Sequence, residues 1–373
     1  MTPLSRDAFA VTSTYLNHAA VGVLPKSTRD AIHRFVDAHG DAGVLGTFGY
    51  EAKMPEYRAQ FAALLGGAGD EIAFLRNTGD GATILAHGVD WNAGDELLLC
   101  HDEFPSNVYP WLALRERGVN VRLLSGRLTP ERLRAEISAR TRAVVVSWVS
   151  YFDGYRHDIA QLAEIAHASG AYCFVDVIQG LGALHLDVRE TGIDAAFGSG
   201  AKWMLALQGV GYLWVRRSVM ERLRVALPGW RSVKDMWAFH DYEQPWIDEA
   251  SRYEGGTPNF LGALSLATSA TFLRDAGTLA IQSHILALRE RLIDGLLRHD
   301  VELITKPDAH VASGIVTFRA SVDDQVAFGR SLQAKGFVTT WRPTGIRVAP
   351  HGYNTDDEID AFVALVAARI HNE

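Results

Sequence analysis

Two residues able to do chemistry, Asp176 and Lys202, each follow a short apolar run. Cys173–Phe174–Val175 stops at Asp176, and Gln179 with two glycines turns the chain directly afterwards. Ala195–Ala196–Phe197 gives way to Gly198–Ser199–Gly200 and then Lys202. Buried strands of a parallel sheet read as continuous apolar runs of this kind, and open α/β sheets place their ligands beyond the carboxyl ends of such strands. Taken singly, each feature is ordinary: a strand-end aspartate caps turns, a lysine is usually solvated, and Gly-Ser-Gly is a turn signal. Taken together they supply an amine, a carboxylate, an amide and a small-residue turn at the ends of neighbouring strands.

Those are the parts that hold pyridoxal phosphate, with a Schiff base to the amine and a carboxylate under the pyridinium nitrogen. Other segments agree. Glu71–Leu75 runs into Arg76–Asn77–Thr78–Gly79–Asp80–Gly81 and then an apolar stretch over Ala82–Val89. Strand, turn and helix start present free backbone N–H groups to an anion, although Thr78 alone reads equally as a helix N-cap. Further on stands Arg252–Tyr253–Glu254–Gly255–Gly256–Thr257–Pro258–Asn259. In order and spacing these segments resemble the class V aminotransferase family, with its cysteine desulfurase, isopenicillin N epimerase and kynureninase branches.

The resemblance implies a fold and a set of roles. The fold is α/β, the type I fold of pyridoxal-phosphate-dependent transferases, with a mostly parallel seven-stranded sheet in a large domain and a smaller α+β domain. Lys202 and Asp176 would be catalytic. Thr78, Gly79 and Ser199 would hold the cofactor phosphate, joined by Thr257 from the partner of a homodimer with shared active sites. Phe104 would stack on the ring where desulfurases carry a histidine, and Gln179 would donate to the ring's phenolic oxygen. Arg347 would clamp the substrate carboxylate, with Arg342 as the alternative, and His18 and Tyr151 would line the substrate site. Two departures stand out: relatives carry asparagine where Tyr151 falls, and histidine where Ala201 precedes the lysine.

The implied reaction starts from a carbanion at Cα of a small amino acid. Desulfurases also need a nucleophilic cysteine just before the carboxylate arginine, and Gly336–Gly345 contains none. Transamination therefore ranks first, followed by cysteine-independent C–S cleavage or another β-elimination, and by epimerisation using His18 or Tyr151. A non-catalytic protein that keeps the fold is the rival from another class; its degenerate site would be expected to lose Lys202 or Asp176, and both are present. A nicotinamide dehydrogenase fails because no G-x-G-x-x-G follows an early strand.

The elements that must position these residues are legible as alternation. Strand-like runs at Glu71–Leu75, Glu96–Cys100, Val119–Leu124, Ala143–Trp148 and Val210–Val215 join the two already named, with helical patterns at Ser27–His39, Tyr57–Leu65, Pro130–Ala139 and Ile159–Ala168. Gly40–Met54 reads as a mobile glycine-rich loop, and Ala226–Ser251 as an irregular aromatic excursion. Long helices at Leu261–Ala276 and Ala280–His299, short strands at Val301–Thr305, Gly314–Arg319 and Gly345–Ala349, and a last helix from Asp356 to about His371 capped by Thr355 complete the chain. The expected division is a large domain over 20–250 and a small one from 1–19 with 251–373.

Composition bounds the rest. The 373 residues suffice for two domains. A net charge of −8 argues against nucleic acid. No segment approaches the roughly 18–20 apolar residues of a membrane span, and the start lacks a signal-peptide core, so a cytoplasmic enzyme without membrane contact is expected. The two cysteines, Cys100 and Cys173, sit in apolar runs and read as buried thiols. His101–Asp102–Glu103 lacks the spacing of a metal site, and no metal is expected.

Overall fold

The computed structural model describes residues 2–370, so the helix end expected at His371 lies outside the described residues. After a two-residue strand, β1 (Thr14–Tyr15), seven apolar runs form one sheet: β2 (Ile72–Leu75), β3 (Glu96–Cys100), β4 (Asn120–Leu124), β5 (Thr141–Ser147), β6 (Tyr172–Asp176), β7 (Ala195–Ser199) and β8 (Gly211–Val215). Their order is β2-β8-β7-β6-β5-β3-β4. Strands β3 to β7 are parallel to one another, and β8 runs antiparallel to both β2 and β7. The strands read as unbroken apolar runs because both faces are covered. Val144, Val175, Ala196 and Trp214 pack on one side; Leu97, Val145, Phe174 and Leu213 pack on the other.

The helices α1 (Lys26–Ala42), α2 (Val44–Ala52) and α3 (Met54–Leu65) correct one expectation: Gly40–Met54 is helical rather than a loop. Its glycines serve geometry, not mobility. Gly43 takes φ +54° at the turn between α1 and α2, and a Cβ on Gly46 would lie 1.8 Å from the Ala38 carbonyl oxygen. Only a bare backbone lets α2 fold back that closely on α1. The excursion over 226–251 is irregular as expected, with Trp237, Tyr242 and Trp246 exposed.

Downstream come β9 (Val301–Leu303), β10 (Val316–Ala320), β11 (Phe337–Val338), β12 (Thr340–Arg342) and β13 (Gly345–Val348). Four of them form an antiparallel sheet in the order β12-β13-β10-β9, while β11 pairs in parallel with β1. This sheet has its own core, built around Phe318, Phe328, Ile346 and Phe362. The helix Phe260–Ala276 packs on α1 and α3, and its Leu266, Ala270 and Leu273 join the core beside the large sheet. The last helix, Asp356–Ile370, starts with a reciprocal cap: Thr355 Oγ1 accepts from the Glu358 N–H, and Glu358 accepts from the Thr355 N–H. No helix among the described residues is long and apolar enough to cross a membrane.

The helix α4 (Thr78–Gly88) is tied to β8 by one close approach: a Cβ on Gly211 would lie 2.8 Å from backbone atoms of Asn77. Gly211→Val is therefore expected to destabilise the fold by roughly 1–3 kcal/mol, seen as a lower midpoint in urea unfolding. An unchanged midpoint would show that this contact yields freely.

Candidate active site

Asp176 closes β6 and is 2% exposed. Its register partners are Ser147 on β5 and Phe197 on β7, and its Oδ1 accepts from the Ile178 N–H at 2.9 Å. Burial pushes the carboxyl up to about 7; the Ile178 bond opposes that, the Glu103 charge adds to it, and Lys202 opposes it. Lys202 lies three residues past β7, in a turn held by the Leu205 N–H to Lys202 carbonyl bond at 3.0 Å. Leu205 takes φ +54°, a strained value for leucine, and the Ser269 hydroxyl secures it by donating to its carbonyl at 2.9 Å. Burial brings the Lys202 amine down to about 8, against the pull of Asp176, with the charges of Arg347 and Arg342 lowering it further. Acid, amine and both arginines thus act on one cleft.

One wall of the cleft is aromatic. Lys202 Nζ lies 5.6 Å from the Phe104 ring centroid. Phe104 is 41% exposed and meets Tyr151 edge-on, with centroids 5.2 Å apart, so a ring face stays open. The Arg342 guanidinium carbon sits 6.0 Å from the Tyr151 centroid. Arg347, on β13, donates to the Tyr151 carbonyl at 2.7 Å and to Thr340 Oγ1 at 3.3 Å, while its buried Nε has no partner. Among the described residues no carboxylate pairs with Arg347. Burial, then the Arg342 charge, brings its pKa down to about 10. A buried guanidinium without an anion is costly, and a carboxylate entering the cleft would offset that cost.

An anion cradle lies next to it. Asn77, not Thr78, caps α4, its Oδ1 accepting from the Asp80 N–H at 3.0 Å. Thr78 and Gly79 therefore open the helix, where backbone N–H groups lack intrahelical acceptors. Ser199 pairs in register with Gly211, which itself abuts Asn77, so the end of β7 and the start of α4 adjoin. Gln179 is buried, with Nε2 donating to the Ala19 carbonyl at 3.0 Å and Oε1 accepting from Trp203 at 2.9 Å. One amide N–H of Gln179 is thereby committed to the scaffold. Thr257 is exposed in a cleft lined by Trp230 and by Arg76 and Asp80, the residues that bracket the start of α4.

His18 requires a correction. It is fully buried, with Nδ1 2.9 Å from the Ala349 carbonyl and Nε2 2.9 Å from the Tyr353 hydroxyl. A carbonyl only accepts, so Nδ1 carries the proton and Nε2 accepts from Tyr353. Burial, with His351 beside it, holds the imidazole well below its usual pKa. His18 is a neutral strut between the N-terminal segment and the end of β13, and neither nitrogen is free for substrate.

One residue was missed. The sequence gives Glu103 a place only in the His101–Asp102–Glu103 run, yet the residue is buried and acts electrostatically on Asp176. Its one sequence signal is its place directly before Phe104. The set as a whole fits pyridoxal phosphate: an amine brought down to about 8, a buried acid, an open ring face and an anion cradle adjoin one another.

Comparisons agree with that geometry. The family model described as aminotransferase class-V matches residues 14–362. A probable cysteine desulfurase of Methanothermobacter thermautotrophicus is 30% identical over 329 residues, covering 82% of this chain and 81% of the relative. The uncharacterized aminotransferase YcbU of Bacillus subtilis is 26% identical, covering 84% and 82%. Among solved structures, the apo cysteine desulfurase of Thermococcus onnurineus superposes with a TM-score of 0.89 at 22% identity, covering 99% and 98%. The cystine C–S lyase C-DES, in complex with cysteine persulfide, gives 0.87 at 22%, covering 96% and 98%. These two structures show the shared fold.

Buried Asp176 makes the stability of the fold depend on pH. Its folded pKa, about 7, exceeds the ordinary 3.8. Between those values the folded chain holds a proton that the unfolded chain releases, so stability falls as pH rises, and the penalty is complete above about pH 7. Asp176→Asn is thus expected to raise the Tm of cofactor-free protein by a few degrees at pH 8 and to change it little at pH 4, measured by calorimetry. An equal shift at both pH values would contradict it.

Proposed function

The chain belongs to the class V aminotransferase family of pyridoxal-phosphate-dependent enzymes, and on that premise we propose that it releases a β-substituent, sulfur foremost, from a small amino acid by elimination. The observation that carries this is the state of the thiols. Cys100 and Cys173 are both buried, and burial pushes their pKa values up, Cys100 to about 12. Neither can present the exposed thiolate that accepts sulfur. Several relatives named as cysteine desulfurases, 28–31% identical, support sulfur as the leaving atom. Without an acceptor thiol, the sulfur leaves to solvent.

Each side chain has a task in this reading. Bound, pyridoxal phosphate supplies an electron sink for the pair left at Cα. Asp176, ionised, would keep the heterocycle protonated. Lys202, with its pKa near 8, is a neutral amine at mildly alkaline pH and takes the proton from Cα. As that proton leaves, a Cα–Cβ double bond forms and the Cβ–S bond breaks, with the sulfur keeping the electron pair; water then yields pyruvate and ammonia. Arg347 binds the α-carboxylate and Tyr151 flanks it. Phe104 would stack on the ring, Gln179 would offer its remaining N–H to the phenolic oxygen, and Thr78, Gly79 and Ser199 would hold the phosphate. Thr257, exposed at the surface, serves the neighbouring site of a homodimer. A cytoplasmic setting and the expected two-domain division belong to the same proposal.

Transamination, ranked first on sequence alone, becomes the second reading. It is favoured by Phe104, which offers no proton to a departing sulfur. Epimerisation through His18 drops back because both of its nitrogens are committed, which leaves Tyr151 as its candidate base.

Purified protein given pyridoxal phosphate is expected to develop a visible absorbance band that Lys202→Ala abolishes. With cysteine, cystine or β-chloroalanine it should form pyruvate and ammonia without an added keto acid, and Cys100→Ala should keep that activity. Arg347→Met should raise KM at least tenfold. Amino transfer to a keto acid with no elimination would place transamination first.

A further inference from the structure

Glu103 lies between exposed Asp102 and exposed Phe104, yet its side chain turns inward and is 8% exposed. Three donors converge on its carboxyl: the Ser147 N–H at 2.7 Å, the Ser147 hydroxyl, and Asn107 Nδ2 at 3.1 Å. Asn107 is held in turn by the Trp111 indole N–H at 3.1 Å. Converging donors suit an anion. Ser147 is also the register partner of Asp176. Paired residues on adjacent parallel strands leave the sheet on one face, and such strands lie about 4.8 Å apart. The Ser147 hydroxyl therefore holds the Glu103 carboxyl about one strand from that of Asp176.

Two buried carboxyls so placed resist joint ionisation unless a cation joins them. The surroundings supply only part of one. Lys202 and the Tyr212 hydroxyl act on or feel Asp176. Arg127 acts on Glu103 but is already paired with Asp153.

We propose that Glu103 is a positioning residue for the ring-nitrogen site: strapped to Ser147, it adds a second negative charge beside Asp176 and selects a heterocycle that carries a proton on its nitrogen. Glu103 acts through Asp176 and does not touch the ring, so the proposal rests on the reading that Asp176 meets the ring nitrogen. Burial raises the Glu103 pKa against the pull of its three donors, so its charge is lost sooner than that of a surface glutamate as pH falls. The selection is accordingly strongest at alkaline pH and weakens as pH falls.

The test compares two ligands on the full, cofactor-free chain: pyridoxal phosphate and its 1-deaza analogue, in which C–H replaces the ring nitrogen. Dissociation constants are read by calorimetry or tryptophan fluorescence at pH 8 and pH 6. Glu103→Gln keeps the shape and removes the charge, and is expected to shrink the preference for pyridoxal phosphate about tenfold at pH 8, with Glu103→Asp restoring most of it. A structural role alone would weaken both ligands alike, so an unchanged ratio would overturn the proposal. Should Glu103→Gln fail to fold, Ser147→Ala decides. Without the hydroxyl donor Glu103 takes its proton at higher pH, so the preference should fade at higher pH than in wild type; coincident profiles would overturn it. Wild-type protein that binds neither ligand would sink the cofactor reading together with this one, whereas tight binding with an unaltered ratio counts against Glu103 alone.

Discussion

A buried carboxylate and a half-buried amine at the carboxyl ends of adjacent strands form the constraint on which this structure depends. Burial drives both toward neutrality, raising Asp176 to about 7 and lowering Lys202 to about 8, while each favours the charge of the other. The compromise leaves an amine that gives up its proton readily and an acid ready for a cation. A surface pair would have neither property, because water would hold both groups near their ordinary pKa values. The seven-stranded sheet keeps these two groups together and largely dry.

Much of the remaining architecture braces that cleft. The N-terminal segment packs so tightly on the lysine turn that a Cβ on Gly22 would lie 2.1 Å from the Lys202 carbonyl. His18 ties the same segment to Ala349, just past β13, and β13 carries Arg347. Arg347 reaches across to the Tyr151 carbonyl beyond β5. The small sheet is thereby connected to the large one by the group that would receive a substrate carboxylate. A buried cation with an orphan Nε is a site awaiting an anion, and it shares the cleft with Lys202.

Strain and close approach cluster at the same place. Leu205 is held at positive φ beside the lysine turn, and Gly211 admits the capping residue of α4 against β8. Each is a local cost that the packed sheet sustains. The outcome is that Ser199, Asn77 and the first turn of α4 adjoin without any long loop between them.

What was legible in the sequence was whatever local pattern dictates. The apolar runs read as strands because both sheet faces are covered, the Thr355 cap marked a helix start, and Asp176, Lys202 and Thr78 stood at run ends where ligands collect. Segment 40–54 misled because glycine composition does not distinguish a mobile loop from a tight helix turn; the carbonyl of Ala38 decides that. His18 misled because a lone histidine carries no sign of how its nitrogens are committed, and its partners lie over 330 positions away. Glu103 was invisible for the same reason: its significance lies in a register between β5 and β6. Residue types and strand ends follow from short-range pattern, but the protonation and availability of a side chain depend on burial and on which distant groups pack beside it. Only the tertiary structure sets those.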